Sequence, residues 1–162
     1  MLELTESVLL RRDERVQSDL MQLKAIGIRL AIDDFGTGYS SLSYLRELPI
    51  DVLKIDKSFV DGIAISAQRL ALAEGIVQIA RTLQLEVIAE GIESELQRDL
   101  LISMGCQFGQ GYLLAMPMEA QRAETLARIG PRTIPSLPRQ ALEPGTAARA
   151  ASPASGVTWP VA

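Results

Sequence analysis

An α/β fold built on a parallel sheet is predicted for this chain by three features. Short apolar segments alternate with longer segments of helical spacing. The apolar segments are hydrophobic on both faces, as strands covered on both sides must be. A polar residue recurs at or just beyond the same end of one apolar segment after another.

Taken in order, the predicted strands are LELT (2–5), IRLAID (28–33), DVLKID (51–56), LEVIAE (85–90) and CQFGQGYLL (106–114). Between the first two, Val16, Leu20 and Leu23 recur at helical spacing and make one apolar face. Between the third and fourth, Leu72, Ile76, Ile79 and Leu83 make another. After the fourth, Ser94 and Gln97 form a capping-box pattern, which opens a helix running to about Met104 with Gly105 as its stop. From Pro131 onward the character changes. That stretch holds six of the eight prolines, with much Ala and Ser and neither strand nor helix periodicity, and it is expected to be a disordered tail. The chain thus divides into a structured unit, 1–130, and a tail, 131–162, in which Trp159 is expected to be solvated.

At 162 residues, 48% hydrophobic and 22% charged, the composition is that of a soluble globular protein with one domain. A net charge of −4, falling to −6 over residues 1–130 with 13 basic and 19 acidic residues, argues against binding a nucleic-acid polymer. It leaves room for a small anionic ligand held through metal ions. No apolar run is long enough to span a membrane, and MLELTESVLL lacks the basic start of a signal peptide, so the cytoplasm is the expected location. Cys106 is the only cysteine, which excludes an internal disulfide, and is expected to be a small buried residue without chemistry. With no histidine, any metal must be held by oxygen, which favours Mg²⁺ or Mn²⁺ over zinc.

The polar residues at the strand ends describe a site, because in α/β folds the C-terminal ends of parallel strands converge on it. Asp33 and Asp34 cannot both face one side of a regular strand. Asp33 is therefore expected to end the strand and Asp34 to belong to the turn, with Gly36 and Gly38 supplying the conformational freedom of FGTGYSS. Two such carboxylates can bridge a pair of divalent cations about 3.5–4 Å apart; otherwise Asp33 caps a helix starting near Ser40 or sits in a solvated turn. Lys54 is the one charge inside VLKI, and can shift its pKa, orient a nucleophilic water, or simply pair with Asp56 on the same face. Glu90, ending VIAE, suits a metal ligand or a general base, or a turn acid. Gln110 can hydrogen-bond a ligand or its own loop. Glu3 is placed to be a ligand, Glu6 to anchor a loop, and Glu93 to support the site or lie on the surface.

Together, LELTES, LAIDDFGTGYSSLSYLRELPIDVLKIDKSFV, VIAEGIES and GCQFGQGYLLAMPM resemble the EAL family of cyclic di-GMP phosphodiesterases over most of residues 1–118. The resemblance implies hydrolysis of one phosphodiester of cyclic di-GMP to linear pGpG, with two divalent cations stabilising the attacking and leaving oxygens. It implies that Glu3 and Asp33 bind the first metal, that Asp33 bridges to the second, and that Asp34 and Glu90 complete the second. Lys54 is similar to the lysine that orients and helps activate the attacking water, and Gln110 to a glutamine near the metal–water cluster. Glu6 matches a glutamate that anchors the DDFGTGYSS loop, a segment linked to metal binding and to homodimer formation; Glu93 matches an acidic residue of supporting role.

The family's Glu-Ala-Leu motif, the arginine soon after it and a second-strand asparagine have no counterpart, since Met1 lies two residues before Glu3. A (βα)₈ barrel usually needs about 250 residues. The resemblance therefore implies an incomplete (βα)₈ TIM-type barrel lacking its first strands, with impaired activity in this chain alone. Two alternatives stand beside the phosphodiesterase. One is an inactive EAL remnant that binds nucleotide or another protein. The other, from the residues alone, is a Mg²⁺-dependent barrel enzyme that abstracts a proton with its lysine and acids.

Overall fold

The computed structural model of the chain describes residues 1–6, 13–37, 42–129, 132–133 and 158–159. Five strands form one parallel sheet in strictly sequential order: β1 (Leu2–Thr5), β2 (Leu30–Phe35), β3 (Val52–Ile55), β4 (Glu86–Ala89) and β5 (Phe108–Gly109). Helix α1 (Glu14–Ala25) connects β1 to β2, and the short helix α2 (Leu42–Leu45) lies between β2 and β3. Helices α3 (Lys57–Val60) and α4 (Ala67–Thr82) link β3 to β4, α5 (Glu95–Met104) links β4 to β5, and α6 (Ala120–Ile129) follows. Neighbours in sequence that are neighbours in the sheet, each joined through helix, make the wall of a (βα) barrel.

The core lies between this wall and its helices. β3 is buried throughout, and Leu30, Ile32, Leu53, Ile55, Val87 and Ala89 pack with Leu20 of α1 and the inner face of α4. That inner face is Ala73, Ile76, Val77 and Ala80. The face expected from Leu72, Ile76, Ile79 and Leu83 is thus rotated. Leu72 is 53% exposed, because the two alanines let the helix backbone settle close to β3 and β4 and turn the leucine outward. The α1 face holds as expected, with Leu20 buried and Val16 and Leu23 packed against the core. Helix α5 also opens as predicted. Ser94 accepts from Gln97 N while the Gln97 side chain accepts from Ser94 N at 2.9 Å, and Gly105 ends the helix in a left-handed conformation.

Two strand boundaries differ from expectation. β2 runs on to Phe35 rather than stopping at Asp33, because its register with β3 slips: Ile32 faces Leu53 and Phe35 faces Ile55. One extra residue sits in β2 between them, and Asp34 takes it up with a positive φ of 53°. The fifth strand keeps only Phe108–Gly109, because the chain turns immediately afterwards, with Leu114 N donating to Gly111 O at 3.0 Å. Gly111 permits the turn by lying against Ile92, where an added Cβ would come within 2.2 Å of the Ile92 nitrogen.

Of the proline-rich segment, Arg132–Thr133 and Thr158–Trp159 form an antiparallel two-residue pairing. The rest of the expected disordered tail lies outside the described residues, as do Gly38 and Ser40.

The opposite, N-terminal ends of the strands are tied by one residue. Asp51 donates its N–H to Leu30 O at 2.9 Å and accepts from Glu86 N at 3.0 Å, while its carboxylate accepts from Leu30 N at 2.8 Å and pairs with Lys24 of α1. Arg29 and Glu86 close the same end at 2.7 Å. Burial alone would raise the Asp51 carboxyl, but Lys24 and the Leu30 N–H outweigh it and hold it below the usual range. A carboxylate depressed in the folded state contributes stability that is present above its unfolded pKa, about 3.9, and is lost as pH falls through the lower folded value. Asp51→Ala is expected to cost about 1–3 kcal/mol at pH 7 by leaving the Leu30 N–H unpaired. Urea titrations should show the gap between variant and parent narrowing below about pH 4, where the Asp51 charge is lost; a gap independent of pH would contradict the assignment.

Candidate functional site

Each sheet strand, or the residue just after it, supplies a polar side chain to one cluster. Glu3 comes from within β1, Asp33 and Lys54 from near the C-terminal ends of β2 and β3, and Glu90 and Gln110 from just past β4 and β5. β3 places Lys54 at the centre, 6% exposed at the side chain. Its ammonium meets Glu90 Oε1 at 2.7 Å, Asp33 Oδ1 at 2.8 Å and Glu3 Oε2 at 3.0 Å. Three strands flanking or near β3 therefore converge on a single buried cation. The alternative pairing with Asp56 does not form: the Asp56 side chain caps α3, accepting from Ser58 N at 3.0 Å.

The extra residue in β2 resolves the problem posed by adjacent aspartates. With Asp34 in the left-handed region, both carboxylates reach the same side, and Asp33, Asp34 and Glu90 each offer an oxygen within 4.8 Å of the others. Such a set suits a hard cation bound through oxygen. Burial pushes the Glu90 carboxyl above the ordinary range; Lys54 opposes this and the charges of Asp33 and Asp34 add to it. The Asp34 carboxyl is raised as well, by desolvation and then by the Asp33 charge. Burial would lower the Lys54 ammonium, but its bonds to Asp33, Glu90 and Glu3 more than compensate and hold it well above the usual lysine value.

The surrounding residues fix these groups. The Gln110 amide donates to Glu90 Oε1 at 3.0 Å, and Gln110 is itself laced in by its N–H to Ala89 O at 2.8 Å and by Ile92 N, which donates to Gln110 O at 3.1 Å. Glu6 is buried and accepts from Gly36 N at 3.2 Å, which anchors the chain just beyond the two aspartates. Gly36, with φ of 98°, lies so near Phe59 that an added Cβ would come within 2.7 Å of the ring. Glu93 stands apart from the cluster. It pairs with Lys57 at the rim of a neighbouring cavity of about 820 Å³, which Glu90 and Gln110 also line.

The sequence reasoning missed Lys57 and the apolar wall of this cavity, Tyr112, Met116 and Met118. Lys57 could have been found by the rule that found the others, since it lies just past the end of β3. The methionines carry no such signal.

Residues 1–117 match the EAL domain, and the chain belongs to the EAL domain family. It is 46% identical over 121 residues to MucR of Pseudomonas aeruginosa, a bifunctional diguanylate cyclase/cyclic di-GMP phosphodiesterase, covering 75% of this chain and 18% of that protein. The chain thus spans less than a fifth of this relative's length. Among solved structures, the PaMucR phosphodiesterase in complex with c-di-GMP superposes with a TM-score of 0.71 at 45% identity, over 75% of this chain and 49% of that one. Klebsiella pneumoniae BlrP1 with calcium and cyclic di-GMP gives a TM-score of 0.65 at 36% identity, over 71% of this chain and 29% of that one. A manganese complex of the same protein with cyclic di-GMP gives a TM-score of 0.62 at 36% identity, over 68% of this chain and 28% of that one. The fold is therefore that of EAL domains, and no helix among the described residues is long and apolar enough to cross a membrane.

If Asp33 is a ligand and Glu93 is not, Asp33→Asn should weaken Mn²⁺ binding at least about tenfold, the loss of one charged ligand, while Glu93→Gln should leave it within about twofold. Calorimetric titration of both variants decides this; equal losses would remove the distinction.

Proposed function

We propose that this chain contributes to metal-dependent hydrolysis of one phosphodiester of cyclic di-GMP, giving linear pGpG. The observation that carries this reading is the convergence of Glu3, Asp33 and Glu90 on Lys54, with Asp34 beside them, at the strand ends of an EAL domain. Its relatives include a cyclic di-GMP phosphodiesterase and a protein held with manganese or calcium and the same nucleotide.

The residues fit a pair of divalent cations, Mg²⁺ or Mn²⁺. Four carboxylates face one ammonium, an excess of three negative charges, and that excess contributes to the raised Asp34 and Glu90 carboxyls. Glu3, Asp33, Asp34 and Glu90 would hold the cations, which when bound supply charge stabilisation at the attacking and leaving oxygens. Lys54 keeps its proton at neutral pH, so it acts as a fixed hydrogen-bond donor that orients the attacking water, and not as a base. Glu90, whose carboxylate burial has made more basic, is the group suited to take that water's proton, and Gln110 holds it in place. Glu6 keeps the turn after Asp34 in register through Gly36. A loop so anchored would also suit the homodimer contact implied by the family resemblance. Cys106, buried and pushed up to about 12, remains a thiol.

A second reading is a nucleotide-binding module without hydrolysis. Incubation of the chain with cyclic di-GMP and Mn²⁺ or Mg²⁺, with product separated chromatographically, discriminates the two. Hydrolysis predicts pGpG, reduced at least about 100-fold in Glu90→Ala as expected for loss of a general base. Binding without product supports the second reading, and product undiminished in Glu90→Ala would overturn the role of Glu90.

A further inference from the structure

The cavity beside the acidic cluster shares Glu90 and Gln110 with the cluster and is large enough to take a nucleobase. Its lining combines the apolar side chains of Met116, Pro117 and Met118 and the ring of Tyr112 with the charged groups of Lys57 and Glu93. Flat aromatic rings bury well against methionine, whose thioether adapts to them. The polar rim would then face the ring's hydrogen-bonding edge.

Glu93 is fixed from both ends. Its N–H donates to the Gln97 side chain at 2.9 Å, within the capping box of α5, and its carboxylate is paired through Oε1 with the Lys57 ammonium. Lys57 in turn has a determined course. Its stem lies against Gly91, where an added Cβ would come within 2.3 Å of Lys57 Cγ, and its ammonium also reaches Asp61 at 3.8 Å. Among the described residues the Glu93 carboxylate has no polar partner besides Lys57. A carboxylate has about four acceptor positions, so one ammonium leaves room for two further N–H donors.

We propose that Lys57 is a positioning and specificity residue: it sets the Glu93 carboxylate at the rim of the cavity to accept the paired N–H donors of a guanine base lying against Met116 and Met118. Guanine offers a ring N–H beside an exocyclic amine, the geometry a carboxylate accepts through both oxygens. Adenine presents a ring acceptor at the corresponding place and would be repelled. Holding Glu93 in advance reduces the side-chain freedom lost when the base binds. This inference rests on the reading of the site as one for cyclic di-GMP.

The test compares binding of cyclic di-GMP with that of its inosine analogue, which lacks the exocyclic amine, by calorimetry of the full chain in calcium. The parent chain should prefer cyclic di-GMP about tenfold, one well-made contact pair. Lys57→Met should weaken cyclic di-GMP binding and abolish that preference, and Lys57→Arg should restore most of it. Glu93→Gln should also lose the preference, which places the effect at the base rather than at the phosphates. Thermal melts establish that the variants fold, and a preference intact in folded Lys57→Met overturns the inference while leaving the proposed function standing. Equal loss of affinity for both nucleotides in Lys57→Met, with the preference retained, also overturns it, since Lys57 would then act on the phosphates. Failure of the parent chain to bind either nucleotide overturns both readings at once.

Discussion

The ammonium of Lys54 is the one positive charge around which the site is built. It comes from the most thoroughly buried strand, where a lysine without partners would be strongly unfavourable. Parallel registry supplies the partners: Glu3, Asp33 and Glu90 arrive from β1, β2 and the end of β4 at 2.7–3.0 Å. Breaking such a buried arrangement from one side typically costs about 3–5 kcal/mol, because the remaining charges are left uncompensated. The same lysine does not neutralise the cluster. The negative charge that remains is what would attract the cations proposed above.

The sheet divides its labour between its two ends. At the N-terminal ends, Asp51 binds β2, β3, β4 and α1 through backbone and side chain together, and Arg29 pairs with Glu86. These contacts contribute to stability. At the C-terminal ends the charges are concentrated and partly unbalanced. The bulge at Asp34 belongs to this second end, where a departure from regular strand geometry turns two adjacent carboxylates to one side.

Much of this was legible in the sequence, for identifiable reasons. Strands apolar on both faces could be read because parallel strands are buried twice, and the polar residues stood out against them. Lys54 and Glu90 were visible as charges inside or ending such runs, and the α5 capping box as a local pattern whose geometry is set within four residues. What could not be read depends on contacts distant in the chain. The choice of Asp33, Glu90 and Glu3 over Asp56 as partners of Lys54 is made by registry between strands. The inner face of α4 follows from which alanines meet the sheet, and so Leu72 was misplaced. The extension of β2 past Asp33 required knowing that β3 pairs with Phe35. The run 106–114 looked like a strand because its apolar content hides the turn that Gly111 allows against Ile92.

If Lys54 and divalent cations answer the same excess of negative charge, the two should compensate for each other. The direct measurement is the unfolding midpoint of the parent chain and Lys54→Met, each with a chelator and with Mn²⁺. Without cations, Lys54→Met should be destabilised by about 3 kcal/mol or more, and Mn²⁺ should restore more stability to the variant than it adds to the parent. A variant as stable as the parent in chelator, or a midpoint indifferent to Mn²⁺ in both, would contradict the account.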